Sequence, residues 1–267
     1  MNKSLVLGLA ACALAATGVA NGAEDAPADT GPFAASNFSA TLALTNDYLF
    51  RGISNSDGPA IQGSVDWAWN GFFVGAWASN TEFSDANIEI DYYGGYTWTW
   101  LAIDWTIQGI YYTFPGEEED YSEGLDPGTG VEADYGEINL GAAHTFDGEL
   151  APTIGVNYYY SPDTFGEDGN NHTVEGNFGL TLPGDWGLYT NVGYTDFEGD
   201  QSGGYDYVYF NAGVTKTVLG FTLDLSYHGT DESSDLEGVY VDEPLPGDHN
   251  FADLIDGKVV FSISRTF

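Results

Sequence analysis

Basic residues are scarce in this sequence. Five Lys and Arg stand against 41 Asp and Glu in 267 residues, so the formal net charge is −36. Nucleic acid is excluded as a partner, because binding to phosphates requires a basic surface. Charge of this size is also typical of disordered chains, but 7 Trp, 18 Tyr and 16 Phe spread along the sequence argue against disorder.

Cysteine is almost absent as well. The single one, Cys12, lies in the apolar stretch Leu5–Ala16, which follows a short basic start and precedes small residues. This pattern predicts a secretory signal peptide over residues 1–23, with cleavage between Ala20 and Ala23. Lipidation at Cys12 is the disfavoured alternative, because part of the apolar stretch lies after it. A mature chain without cysteine has neither disulfides nor thiol chemistry.

No apolar run after residue 23 reaches the ~20 residues that a membrane helix needs. A closed barrel of strands is the other structure that can span a bilayer. We therefore expect a short periplasmic segment at residues 24–36 and a transmembrane β-barrel at residues 37–267.

Apolar residues recur with a period of two from residue 38 onward, which indicates strands with one apolar and one polar face. Twelve such segments are present, and only Phe72–Ser79 is ambiguous because both of its faces are largely apolar. Fold class is thus predicted as all-β, a closed antiparallel up-and-down barrel. A further hairpin in the last loop, Thr230–Gly257, would raise the strand number to fourteen.

Short and long connections alternate along the chain, as expected for tight periplasmic turns and long external loops. The predicted short turns are Asn70-Gly71, Trp98–Leu101, Asp147-Gly148, Pro183–Asp185 and Val218–Gly220. Aromatic residues near strand ends predict two interfacial girdles. The tryptophans at the predicted periplasmic ends are Trp67, Trp69, Trp98, Trp100 and Trp186, and the tyrosines at the external ends are Tyr48, Tyr111, Tyr112, Tyr158, Tyr160, Tyr207 and Tyr227.

Charged residues within the predicted strands fall on the polar face. A charge that faced lipid near the midplane would cost a few kcal/mol, so these residues are expected to face the lumen. One strand-borne arginine among seven carboxylates predicts a cation-preferring interior. An open channel is favoured over a plugged barrel, although twelve strands lie between filled and open sizes. The predicted pore-lining residues are Arg51, Asp66, Glu89, Asp91, Asp104, Glu137, Glu175 and Asp224.

Several stretches resemble a known family. Leu44–Ser54 (LTNDYLFRGIS), Pro59–Gly63, Gly71–Asn80 and Glu89–Tyr96 are similar, in this order, to the blocks of the TorF-type porin family. The resemblance is strong over residues 37–114 and weaker beyond. It implies an outer-membrane barrel with a pore function, and it offers no catalytic or ligand residues to carry over.

The sequence offers little support for a catalytic or metal-binding site. Asp224, Ser226 and His228 share one face of a predicted strand, but residues two apart are separated by ~7 Å along it, too far for a nucleophile and its base. The acidic stretches Gly116–Asp120 and Glu167–Asn171 do not have EF-hand spacing. We expect no catalytic residue, no metal site and no cofactor.

The sequence thus predicts a porin-like channel for passive diffusion of small hydrophilic solutes in the outer membrane. A plugged structural barrel or an adhesin acting through acidic external loops is the alternative, and an outer-membrane hydrolase is a weaker one. The expected partners are outer-membrane lipids, lipopolysaccharide and small solutes. A weaker alternative is that divalent cations bridge the acidic loops to lipopolysaccharide. The end at Phe267 resembles the terminal strand recognised by the barrel-assembly machinery.

Overall fold

A computed structural model describes residues 31–82, 86–116, 133–199, 204–231 and 254–267. The predicted signal peptide lies outside these residues. One helical turn, Ala35–Asn37, precedes the strands, and no helix in the described ranges is long and apolar enough to cross a membrane. The strands are β1 Phe38–Thr45, β2 Leu49–Phe50, β3 Ile53–Ser54, β4 Ala60–Trp69, β5 Phe72–Asn80, β6 Ile88–Trp100, β7 Ile103–Thr113, β8 Tyr135–Thr145, β9 Thr153–Ser161, β10 Asn171–Leu182, β11 Trp186–Phe197, β12 Tyr205–Val218, β13 Phe221–Thr230 and β14 Lys258–Thr266.

Twelve of these strands form one closed antiparallel barrel. Consecutive strands from β4 to β14 pair with one another, and β1 closes the ring between β14 and β4. Closure removes the unpaired edges on which an open sheet would aggregate. The prediction of twelve strands is confirmed. Because β12, β13 and β14 pair directly, the ring has no place for the further hairpin considered in the last loop.

The two ends of the barrel differ. At one end, here called the turn end, β4–β5 and β12–β13 are joined by Asn70-Gly71 and Leu219-Gly220, all with positive φ. Two-residue turns of this kind match the twist of the paired strands. The turn predicted at Trp98–Leu101 is wrong in position, because β6 continues to Trp100 and the chain turns at Leu101-Ala102. The segment 146–152 is longer than the predicted turn Asp147-Gly148.

The outer face of the barrel is apolar and the inner face is polar. Alternate residues such as Leu42, Val65 and Ile154 are 53%, 64% and 53% exposed, although a water-soluble fold would bury them. Their surroundings are therefore lipid, which a spanning barrel meets with an apolar band. Strand pairing also resolves the ambiguous segment: β5 places Phe73, Gly75, Trp77 and Ser79 inward, opposite inward residues of β4.

The prediction of a tyrosine girdle at the external ends is correct only in part. Tyr111, Tyr158 and Tyr227 are exposed on the outer face at the end opposite the turns, here called the loop end. Tyr112 and Tyr207 are buried inside the barrel, because each neighbours an outward residue and alternate strand positions face opposite sides.

Candidate functional site

All seven predicted carboxylates occupy inward positions of the barrel, and they form two groups by depth. Toward the turn end, Asp104 is exposed, while Asp66 and Asp224 are half-buried. The other four lie toward the loop end, are at most 3% exposed, and comprise Glu89, Asp91, Glu137 and Glu175. The interior is therefore wetted at the turn end and packed at the loop end.

The packing at the loop end comes from the connection between β1 and β4. This segment, residues 46–59, is here called L1; it contains the short hairpin β2–β3 and folds into the barrel. Its base is fixed at Asp47, where one carboxylate oxygen accepts a hydrogen bond from Ser54 at 2.6 Å. The other carboxylate oxygen of Asp47 lies 3.1 Å from Nζ of Lys258 on the wall. Asp47 thus connects the base of L1 to another residue of L1 and to β14.

Arg51 lies at the tip of L1, in the turn between β2 and β3, with φ of 49°. The prediction that it belongs to a barrel strand is wrong. The residues before Gly52 alternate as in a strand, which is the reason for the wrong prediction. In the structure, the barrel strand β1 ends at Thr45, and β2 belongs to the short hairpin of L1. Sequence reasoning missed a second inward cation, Lys258, which lies opposite His228 in the β13–β14 pair. Its position next to outward Val259 could have indicated that it faces inward.

The Arg51 side chain reaches the wall formed by β8, β9 and β10. Its guanidinium donates to Glu137 at 2.7 Å and to Asn171 at 3.3 Å, and it lies 5.0 Å from the ring centre of Tyr159. Burial is the largest single effect on the pKa of Arg51 and lowers it, but the Glu137 carboxylate together with the nearby tyrosine hydroxyls outweighs burial and raises this pKa above its ordinary value. A charged guanidinium therefore bridges L1 to the wall. Removing one partner of such a buried pair would leave the other uncompensated.

Gly52 brings the tip of L1 against the opposite wall. A Cβ added there would lie 2.8 Å from Thr230 Cγ2 and 3.1 Å from Tyr209 Cβ, and the residue has φ of +86°. Only glycine fits both the contact and the backbone conformation. Since L1 leaves the wall at β1 and returns at β4, a tip in contact with β8–β10, β12 and β13 crosses the bore.

Tyrosine hydroxyls meet most of the interior carboxylates. Tyr189 donates to Asp224 at 3.1 Å, and Tyr209 donates to Glu175 at 3.0 Å. The further pairs are Tyr48 with Glu89, Tyr112 with Glu137, and Tyr93 with Asp66. Charge-assisted bonds of this kind hold a carboxylate in place without neutralising it.

Glycines make room for these tyrosine rings. A Cβ at Gly213 would lie 2.4 Å from Cζ of Tyr189, and one at Gly193 would lie 2.1 Å from Cζ of Tyr209. Each ring therefore lies flat over a glycine of the neighbouring strand, as in aromatic rescue of sheet glycines. Sequence reasoning missed these pairs, because the partners belong to strands that alternation alone does not align.

Ser226 and His228 are in contact, contrary to the expected separation. Ser226 Oγ lies 3.0 Å from Nε2 of His228, because the imidazole side chain is long enough to bend back along the strand. Within the described part of the chain, no group of three or more His, Cys, Asp or Glu is placed to hold a metal ion. Most of the acidic stretch Gly116–Asp120 lies outside the described residues.

The sequence was also compared with known proteins. A profile described as "Bacterial protein of unknown function (Gcw_chp)" matches residues 29–267. The chain belongs to the Gcw_chp family. This match does not confirm the resemblance to TorF-type porins, which stays a prediction. No curated protein matches the sequence.

Among solved structures, the chain is similar to the NanC porin, with a TM-score of 0.53 and 10% identity over 86% of this chain and 98% of that one. A loop-deletion mutant of OmpT, an outer membrane protein of Vibrio cholerae, has a TM-score of 0.44 at 10% identity, covering 86% and 98%. OccAB1 of Acinetobacter baumannii also has 0.44, at 10% identity, covering 87% and 65%. The first similarity supports the porin-like barrel fold.

Proposed function

We propose that this Gcw_chp protein is an outer-membrane channel through which small hydrophilic solutes diffuse passively. The observation that carries the proposal is a closed twelve-stranded barrel with an apolar outer face and a polar interior. Such a wall separates lipid from water and allows polar solutes to cross without entering hydrocarbon. The turn end would face the periplasm and the loop end the outside.

In this proposal L1 forms the constriction. Its tip crosses the bore between Glu137 and Asn171 on one side and Tyr209 on the other. Solutes would meet a wide, wetted vestibule at the turn end and then the narrow zone around Arg51. A pore narrowed by an inward loop selects by size and charge at that zone.

The interior charges favour cations. Seven strand carboxylates face inward, and both inward cations are within 4 Å of a carboxylate: Arg51 pairs with Glu137, one of the seven, and Lys258 pairs with Asp47 of L1. The remaining negative charge would concentrate cations in the bore, and more strongly at low salt, where screening is weak.

Reversal potentials in planar bilayers under a KCl gradient test this proposal. We expect cation preference that weakens when Asp66 and Asp104 are both changed to Asn, because both carboxylates lie in the wetted half. Asp206→Asn on the outer face serves as the control and should leave selectivity unchanged. Anion preference would contradict the carboxylate lumen, and an absence of conductance would favour a closed structural barrel.

We also propose that the protein is not an enzyme, despite the contact between Ser226 and His228. An acyl-transfer site needs hydrogen-bond donors to hold an oxyanion, and backbone N–H groups beside the nucleophile commonly supply them. Ser226 lies within β13, which pairs with β12 on one side and β14 on the other. Covalent labelling of Ser226 by a fluorophosphonate probe would contradict this view.

The partners follow from the same surfaces. Lipids of the outer membrane, including lipopolysaccharide at the loop end, would cover the apolar band. Phe267, which is 71% exposed after β14, is available for recognition by the barrel-assembly machinery. A defect in membrane insertion on deletion of Phe267 would support that role.

A further inference from the structure

One inner wall of the barrel carries hydrogen-bond acceptors that receive no hydrogen bond within the described part of the chain. Gln108, Asn139 and Glu175 face inward from β7, β8 and β10 and are 3%, 1% and 1% exposed. Each has one side-chain oxygen that receives no hydrogen bond from any described residue, as does Asn177 on β10. These four residues are here called the acceptor wall.

Strand pairing brings the acceptor wall together below the tip of L1. Gln108 lies opposite Asn139, and Asn139 lies opposite Tyr159, the ring that Arg51 covers. Glu137, the ion-pair partner of Arg51, is two residues from Asn139 on the same inward face. A solute that comes from the turn end therefore meets the acceptor wall directly before L1.

Buried polar groups in folded proteins are almost always hydrogen-bonded, because an orphaned acceptor loses water without a replacement. A barrel with a permanently filled interior would be expected to satisfy them. Glu175 is the clearest case, because one of its two carboxyl oxygens receives no hydrogen bond from any described residue. Its second oxygen is held by Tyr209, so the free oxygen is aimed by a fixed partner.

We propose that the acceptor wall is a solute-binding site for molecules rich in N–H or O–H donors, namely polyols and organic ammonium ions. Such donors would satisfy the orphaned oxygens, and the nearby rings of Tyr159 and Tyr209 offer faces for the C–H surface of a polyol. Carboxylate or phosphate solutes would place their own acceptor oxygens against those of the acceptor wall, and we expect them not to bind.

The solute and the tip of L1 compete in this arrangement, because docked Arg51 covers the ring of Tyr159, opposite Asn139, and pairs with Glu137, two residues from Asn139. Release of the tip would expose the acceptors, and a bound donor would hold the released state. The proposal rests on the channel function only for the route by which solute reaches the wall.

Isothermal titration with the full, folded protein in detergent tests the site without any need for conductance. The probes are glucosamine, glucose and gluconate, which share most of their hydroxyl groups and carry an ammonium, no charge and a carboxylate. We expect glucosamine to bind most tightly, glucose more weakly and gluconate not at all. Binding of glucosamine alone would assign the site to ammonium ions and binding of glucose as well would assign it to polyols; either outcome supports it.

Gln108→Met removes an acceptor oxygen at similar volume and should weaken glucosamine binding about tenfold, the effect of one lost hydrogen bond to a donor-bearing ligand. Gln62→Met is the control, since Gln62 also faces inward but from β4, outside the acceptor wall. Asn139→Leu gives an independent variant if Gln108→Met does not fold. Gly52→Ala, which prevents docking of the tip, should tighten binding.

Equal binding of gluconate, no binding of any probe to the folded protein, or weaker binding in Gly52→Ala would each overturn the proposal. Equal loss of binding in Gln62→Met and Gln108→Met would also overturn it. Because titration does not depend on ion flow, failure of this site and failure of the channel function are separately visible.

Discussion

At the scale of single residues, the interior depends on pairs of tyrosine and carboxylate. The ring of Tyr189 covers Gly213, and its hydroxyl donates to Asp224 at 3.1 Å. Two different properties of one side chain are therefore used, its flat apolar face against backbone and its polar tip against a charge. Because neighbouring strands are joined in this way, the tyrosines stabilise the barrel wall as well as lining it.

Tyr189→Phe separates these two properties, since it keeps the ring and removes the hydroxyl. We expect a loss of about 1.5–3 kcal/mol in the free energy of unfolding, typical of a hydrogen bond to a charged group. Urea-induced unfolding in detergent or lipid vesicles would measure it. Tyr92→Phe, on the exposed outer face, is the control and should change stability little; an equal loss at both positions would contradict the pairing.

At the scale of elements, L1 is the described connection that crosses the bore. Its tip depends on one glycine, because Gly52 has φ of +86° and lies against Thr230 and Tyr209. Its base depends on Asp47, which binds Ser54 and Lys258. In the proposed channel, an inward loop with a fixed base and a tip that fits a single site would be a constriction with a defined position.

Gly52→Ala should undock the tip, because the added methyl group would overlap Thr230 in a backbone conformation that alanine disfavours. We expect a single-channel conductance higher than that of the wild type, with the barrel still folded. Gly58→Ala is the matched control in the same loop, since its nearest heavy-atom neighbour would be 3.8 Å away. Unchanged conductance in Gly52→Ala would show that L1 does not limit flow.

At the scale of the whole molecule, orientation in the membrane is the first property to establish. Long connections lie at the loop end, and four of the five turn-end connections are tight turns of two or three residues, which predicts that the loop end faces outward. Both Asp163 and Asp147 are exposed, the former in a loop-end connection and the latter in a turn-end connection.

Single cysteines at these two positions test the orientation in intact cells with a membrane-impermeant maleimide. We expect labelling of Asp163→Cys and no labelling of Asp147→Cys until the outer membrane is permeabilised. Both substitutions replace an exposed aspartate, so folding should be affected equally. Labelling of Asp147→Cys alone would invert the proposed topology.

The sequence by itself determined the barrel. For strands whose apolar face meets lipid, alternation with a period of two leads to a closed barrel. The same alternation placed all seven carboxylates on the inward face. It also indicated the even strand number, because short and long connections alternate. These features are local, since each follows from residues within one strand or one turn.

Only the tertiary structure decided what fills the bore. The position of Arg51 at the tip of L1, the pairing of Tyr189 with Asp224 and the contact of Ser226 with His228 depend on strands far apart in sequence or on side-chain reach. Alternation states which face a residue occupies but not which residue lies opposite it, because that depends on register around the closed ring. The acceptor wall is of this kind: its polar residues could be read from the sequence, while their lack of donors required the packed interior.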